Sequence, residues 1–554
     1  MKIIGGKHAK KRVREKKPHK ESFMQGVAAL MFSQVLIKLL GLVYKLYLTN
    51  KEGFGDVGNA IYSSGFQIYA LLLTLSSIGV PNAIAKLVSE RRSIGDYKGA
   101  HRIFKIAFAT FAVIGLIGTL ILFMGAGYIA NNWLQIPEAE LTLVALSPSI
   151  FFVAISSVVR GYFNGRENMK ATANSQTLEQ VFKTFLTILV VEVVFIISKA
   201  DTVYMAAGAN LATTLSTMLS FAYLYLYYKT RRREVASEIK ETVNYKPERI
   251  RTIIKKILFV SIPMALSSIM SSINKNIDSV TVVAGLKNFM TDEMAKAQYG
   301  ILGGKVDTLT SLPLSFNVAF ATALVPAIAS ARAKKDMGTA EKRVSFSLLI
   351  TMLIGFPCTI GMMIFADQIL YLLFPNAADG GLLLQISALT IIFTVLEQTI
   401  NGALQGLGKV MVPAIALGTG VVVKLIMNLV LVPNPEIGAA GAAWGSVVCH
   451  IVAFIIGFSV LRKHIKLKIS VSKFLLKPVL ATVMMGICSW FVYSTLTGII
   501  AEKLAIIIAL IIAVIIYALA LIVLKILDKE EIYMIPYGQK IYKVLTKMGI
   551  YKNA

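Results

Sequence analysis

Between residues 23 and 527 the chain is almost continuously apolar. Short polar or basic stretches divide that run into fourteen segments, and a helix needs about 20 mostly apolar residues to cross hydrocarbon. Several segments are interrupted by Gly or Pro, which membrane helices tolerate where neighbours satisfy the freed backbone groups. The composition leaves little else open. Hydrophobic residues make up 56% of the 554 residues and charged residues 16%. A water-soluble domain could not hide so much apolar surface in one core, and the aliphatic content excludes disorder. The expected fold class is an all-α integral membrane protein with 14 transmembrane helices.

The formal net charge of +27 invites a nucleic-acid reading, but the positions of the charges argue otherwise. With the N-terminus placed in the cytosol, 46 of the 57 Lys and Arg fall in cytosolic loops or tails. That asymmetry is the positive-inside pattern. It predicts an even number of spans with both termini cytosolic, removes the need for nucleic acid, and suits anionic lipid headgroups as partners. The basic stretch before residue 22 reads as a cytosolic tail and not a cleaved signal. Residues 529–548 carry apolar and lysine positions suited to an interfacial amphipathic helix or a solvated tail. Cys358, Cys449 and Cys488 lie in apolar stretches and read as small hydrophobes.

Two echoes divide the chain internally. Gly161, Gly165 and Lys183 stand 241 residues before Gly402, Gly406 and Lys424. VPNAIAKLVSERR from Val80 is matched by VPAIASARAKK from Val325. The offset covers six spans, so the copies have the same orientation, related by an axis along the membrane normal. The expected organisation is a basic tail (1–22), two six-helix lobes (23–235 and 236–468), a two-helix appendage (469–527) and a cytosolic tail (528–554). The paired glycines fit either close helix approach or a tight helical hairpin at the cytosolic turn, and their place beside that turn favours the hairpin.

Charged and amide side chains inside spans are costly and usually face a cavity or a partner. The candidates here are Lys38 and Lys45 in the first span, and Glu179 and Lys183, four apart, in the fifth. Later spans add Lys275 and Asp278, Lys305 and Asp307, Asn317, Glu397 and Lys424. The surplus of lysine describes a cationic cavity between the lobes that would attract an anionic headgroup such as a pyrophosphate. Mutual ion pairing that only joins the lobes is the alternative, and Lys305 with Asp307 near an outer end also fits simple snorkelling. No metal-ligand spacing, catalytic constellation or phosphate loop of the Walker type is present, so no cofactor and no enzymatic activity are expected.

GVPNAIAKLVSERRSIGDYKGAHRIFK from Gly79, VRGYFNGRENMKATANSQTLEQVFK from Val159 and PLSFNVAFATALVPAIA from Pro313 make the chain similar to a known group. It resembles the multidrug/oligosaccharidyl-lipid/polysaccharide exporter superfamily, in its polysaccharide biosynthesis and stage V sporulation protein B-like branch, close to the MurJ lipid II flippases. The resemblance covers roughly 22–527. It implies a MATE-like, MurJ-like fold in the bacterial cytoplasmic membrane, with alternating access coupled to membrane potential, protons or sodium. It implies as substrate an undecaprenyl-pyrophosphate-linked sugar, with peptidoglycan lipid II leading and teichoic acid, capsule or O-antigen-like precursors as alternatives. Lys38 falls where the family's first span places an Arg. The arginine pair typical of the second span is replaced by LLLTLSSIGV, which makes Lys45 a candidate substitute. Residues 474–527 correspond to the lipid-tail groove of MurJ-like members. A drug/cation antiporter of the same superfamily would call for an acidic cavity, which the lysines oppose. A membrane glycosyltransferase would need an acidic loop or a soluble domain. Nothing in the sequence requires more than a monomer.

Overall fold

The computed structural model describes residues 23–534 apart from 78, 167, 244, 246, 334, 335, 468 and 469, together with 542, 543, 545 and 546. The basic tail before residue 23 and most of the chain after 534 lie outside the described residues. All regular elements among the described residues are helical. Among the described residues nine helical stretches are long and apolar enough to cross a membrane, the most apolar being Glu502–Val523.

A first bundle is formed by α1 (Phe23–Asn50), α2 (Gly55–Ser77), α3 (Val80–Ser93), α4 (Tyr97–Tyr128), α5 (Glu140–Gly165), α6 (Lys170–Ile197) and α7 (Thr202–Thr230). The short α8 (Arg232–Lys240) leads to a second bundle of α9 (Ile250–Leu286), α10 (Asp292–Tyr299), α11 (Asp307–Ala333), α12 (Met337–Ile364), α13 (Ala366–Leu373), α14 (Gly381–Gly406), α15 (Val412–Leu431) and α16 (Ala440–His464). A pair, α17 (Lys477–Leu496) and α18 (Glu502–Val523), packs on α12 and α13, and α19 (Lys529–Met534) follows. Ile532, Tyr542 and Leu545 bury themselves against Ile522 and Leu527, so the described part of the C-terminal segment folds back onto the end of α18.

The two bundles repeat one packing scheme. In the first, α4 lies along α5, α5 along α7, and α6 along α7. In the second, α12 lies along α14, α14 along α16, and α15 along α16. Helix α1 leans on α6 as α9 leans on α15, and α3 crosses α5 as α11 crosses α14.

The paired glycines sit at these last crossings, which corrects the hairpin expectation. A Cβ on Gly161 would stand 2.7 Å from the Pro81 carbonyl oxygen, and one on Gly165 the same distance from that of Ala85. In the second bundle Gly402 meets the Ala321 carbonyl at 2.4 Å and Gly406 that of Val325 at 2.8 Å. Real Cβ atoms do not fit at such distances, so the glycines let two helix backbones touch. Gly79 has a different task. Its φ of 93° lies in the left-handed region and breaks the second span between α2 and α3. A Cβ there would meet the Ser261 carbonyl of α9 at 2.6 Å.

The connection between the bundles is strapped to the first one. Glu238 binds Arg92 at 2.6 Å and Arg166 at 3.1 Å, Glu234 binds Arg166 at 3.0 Å, and Glu248 binds Arg91. The Val243 amide donates to the Gly95 carbonyl.

Candidate functional site between the bundles

The bundles meet closely at the end opposite the basic loops, here called the outer end. Gly300, in a π-helical turn before α11, presses on α2 so closely that a Cβ would meet the Asp56 carbonyl at 1.8 Å. Beside it, fully buried Lys305 reaches across to Asp56 at 2.9 Å. The same ammonium donates to the carbonyls of Ala377 and Asp379 at 2.7 and 2.9 Å. Lys296 binds Glu138 at 2.6 Å, and the Asn50 and Asn376 amides bond the opposing chain. The outer end is therefore shut. Lys305 is a buried inter-bundle clamp, and snorkelling does not describe it.

About two-thirds of the way along α9, Lys275 pairs with Asp307 at 2.7 Å, yet both side chains remain more than a third exposed. An ion pair left exposed at that depth is costly unless water reaches it. Around it, Asn276 donates to the Gln67 carbonyl at 3.0 Å, and Thr74 and Ser272 share a 2.8 Å hydrogen bond. These contacts join α9 to α2.

The first-bundle wall holds two lysines that make no ion pair among the described residues. Lys45 donates weakly to Ser63 at 3.3 Å and stands 4.7 Å from the Tyr62 ring centre. Lys183 stands 4.4 Å from that of Phe66 and 5.2 Å from that of Tyr44. Both are buried beneath these rings, whose π faces attract cations. Lys183 and Asp307 lie within electrostatic reach of Lys45. The second-bundle counterpart is neutralised. Lys424 binds Asp278 at 2.6 Å and the Asn274 carbonyl at 2.9 Å, while Asn428 holds the other Asp278 oxygen at 3.0 Å. The two corresponding lysines, Lys183 and Lys424, thus differ: among the described residues Lys424 alone has an ion-paired carboxylate.

Other sequence candidates settle differently. Glu179 does not pair with Lys183. Its partner is Arg160 at 2.7 Å, whose guanidinium also donates to Ser175 and Ser220 at 2.9 Å. A guanidinium with several fixed donors outcompetes a lysine on the same helix. Asn317 does not face the gap. It is fully buried among α11, α12 and α14, donating to the Val395 carbonyl and Gln398 and accepting from Thr351. Glu397 turns toward His450, 2.8 Å away. The Lys38 side chain lies outside the described residues. Arg160, Asp56 and His450 are not among the sequence candidates: Arg160 stands next to a basic turn, and Asp56 and His450 are recognisable only by their partners.

A second feature is an apolar groove of about 430 Å³ where α12 and α13 face α17 and α18. Pro357, Gly361, Met362, Gly486, Val514 and Tyr517 are among its lining residues.

A family model described as polysaccharide biosynthesis protein matches residues 23–332, more than half of the chain. The chain belongs to this family. Residues 263–430 also match the MatE model, which places the protein in the multidrug/oligosaccharidyl-lipid/polysaccharide exporter superfamily. Among relatives of this polysaccharide biosynthesis family member, stage V sporulation protein B of Bacillus subtilis (strain 168) is 25% identical over 93% of this chain and 98% of its own. Lipid II flippase MurJ of the same organism is 23% identical over 83% and 87%. A solved structure titled lipid II flippase MurJ, inward closed conformation, superimposes with a TM-score of 0.66 at 16% identity, covering 90% of this chain and 98% of that one. The family member is thus a multi-pass membrane protein with a MATE/MurJ-like transporter fold.

Proposed function

We propose that this family member is a flippase that carries a pyrophosphate-linked, polyprenyl-anchored sugar across the bacterial cytoplasmic membrane. Peptidoglycan lipid II is the leading substrate. The observation that carries the reading is the asymmetry of the repeated lysine. Lys424 has Asp278, while among the described residues the contacts of Lys183 and Lys45 are aromatic rings and a hydroxyl. Two buried lysines with no carboxylate in ion-pair contact among the described residues are stabilised by an arriving dianion. Lys275 extends this surface across the gap once its bond to Asp307 yields. The groove between α12 and α17–α18 offers a polyprenyl tail an apolar path while the headgroup crosses inside. With the outer end shut, loading occurs from the side of the basic loops, and the rings of Tyr44, Tyr62 and Phe66 move aside as the phosphate docks.

In this reading α1, α2 with α3, α7, α9 and α11 cross the membrane along with the nine apolar stretches. That makes fourteen spans in two six-helix lobes plus a pair, with both termini cytosolic beside anionic lipid headgroups and one chain sufficing. Expression in a bacterium depleted of its own lipid II flippase tests the proposal. Wild type is expected to restore growth. Lys45→Ala and Lys183→Ala are each expected to lower rescue at least about tenfold at matched membrane levels, as loss of one charge-assisted contact requires. Failure of well-expressed wild type would transfer the reading to another lipid-linked glycan. Full rescue by both variants would remove the lysines from the phosphate site.

A further inference from the structure

A hollow at the outer end belongs neither to the gap between the bundles nor to the groove. Its volume is about 630 Å³, inside the range of about 300–1,000 Å³ for small-molecule pockets. Both bundles supply its walls. The turn between α1 and α2 and Thr202 of α7 come from the first, Glu293 of α10 and Asn376 from the second. Two left-handed glycines, Gly53 and Gly55, shape the turn. Thr202 donates to the Gly53 carbonyl at 2.6 Å. The Asn376 side chain donates to the Asn50 carbonyl, and that of Asn50 to the Leu373 carbonyl, each at 2.8 Å. The turn is thus clasped from both sides, and the walls stand in place before a ligand arrives.

The hydrogen-bonding groups left over are of both kinds. Thr49, Asn50, Lys51 and Thr202 spend their side-chain donors on protein acceptors. Asp56 is spent on Lys305. The exposed carboxylates of Glu52 and Glu293 make no ion pair among the described residues and remain as acceptors. Donors come from the first turn of α2, where the amides of Gly55, Asp56 and Val57 have no partner within the helix. Among the described residues no three acidic or histidine side chains stand close enough to hold a metal ion. An anion would meet the two carboxylates, and a cation the positive end of α2. A neutral molecule with donors and acceptors around its rim meets neither penalty. Sugars have such a rim, because each hydroxyl both donates and accepts. We propose that this hollow is a binding site for the sugar units of a glycan at the outer end of the protein. The sugar is free or still linked to a lipid, since both forms present the same hydroxyls. The site stands whether or not the chain carries a lipid-linked cargo.

The test uses the full chain in nanodiscs, with N,N′-diacetylchitobiose as the soluble probe and saturation-transfer NMR as the readout. Wild type is expected to bind the disaccharide saturably. Glu52→Ala combined with Glu293→Ala is expected to weaken binding at least about tenfold, since two charge-assisted acceptors are lost. Both side chains are exposed, so the double variant keeps its fold. Glu436→Ala, which removes an exposed carboxylate outside the hollow, is expected to keep wild-type affinity. Absence of saturable disaccharide binding would overturn the proposal, as would binding that the double variant leaves intact. Spermidine is titrated in parallel, and binding of spermidine without the disaccharide would reduce the hollow to an acidic surface and overturn it too. The same disaccharide on a farnesyl pyrophosphate anchor separates the two sources. Competition with the free probe, lost in the double variant, supports a site that admits lipid-linked sugar. Binding of the free probe without competition supports a site restricted to soluble glycan. Failure of lipid II rescue with disaccharide binding intact would count against the flippase reading alone.

Discussion

Arg160 stands five residues before the end of α5, where a sequence reading assigns it to a basic loop, yet its guanidinium is buried against Glu179, Ser175 and Ser220. Removing one partner of such a pair strands the other in a poor solvent. Arg160→Ala is expected to cost about 3 kcal/mol, while Glu179→Gln, which keeps an acceptor in place, costs about 1 kcal/mol. Denaturant midpoints of the purified variants check both values. The contrast marks how far single residues were legible. Lys45, Lys183, Lys424 and Asp278 announce themselves because a charge in a long apolar run has few explanations. Partner choice is not written in the run. Which of two cations takes Glu179, or whether Asn317 faces a gap or a neighbouring helix, follows from how three helices rotate against one another. Local spacing does not encode that rotation.

The helices themselves were largely legible, because length and hydropathy set them. Their crossings were less so. The repeated glycines were visible as a motif, but their closeness to a turn suggested a hairpin, whereas they face α3 and α11 at the two equivalent crossings. The break at Gly79 was likewise hidden, since nothing local distinguishes a left-handed glycine from a packing glycine. Gly402→Ala places a methyl group 2.4 Å from the Ala321 carbonyl and 3.3 Å from its Cα. Backbone cannot swing aside as a side chain does, so α14 and α11 must part. The expected cost is about 2 kcal/mol, read as an earlier unfolding midpoint. Gly361→Ala is the control, since a Cβ there meets nothing within 4 Å.

Over the whole molecule, part of the closure of the outer end rests on the Lys296–Glu138 ion pair, which Asp292 supports and which ordinary pH does not disturb. At Asp292 burial pushes the carboxyl up, but hydrogen bonds and charge from Lys287 and Lys296 outweigh it and hold the group below the usual carboxylate range. A depressed carboxylate contributes stability above its unfolded value and loses it only as pH falls through the lower folded value. At Lys296 burial acts downward, yet Asp292 and Glu138 raise the ammonium above its ordinary range, so its contribution fades only in strong alkali. With spin labels at Lys199→Cys and Glu436→Cys and with Cys358→Ala and Cys488→Ser, the separation of the labels is therefore expected to stay constant from pH 8 down to about 5 when Lys296 and Glu138 are intact. A separation that grows on acidification would show that the clamp itself titrates. The strapped connection has a different consequence. At the end of the basic loops Glu248 binds both Arg91 of the first bundle and, at 2.8 Å, Lys256 of α9, so the covalent tether is reinforced by an ion-pair bridge at the mouth through which cargo would load. Such a leash limits how far that mouth can gape while leaving the opposite end free to swing. A carrier assembled from two separate halves would lack this limit.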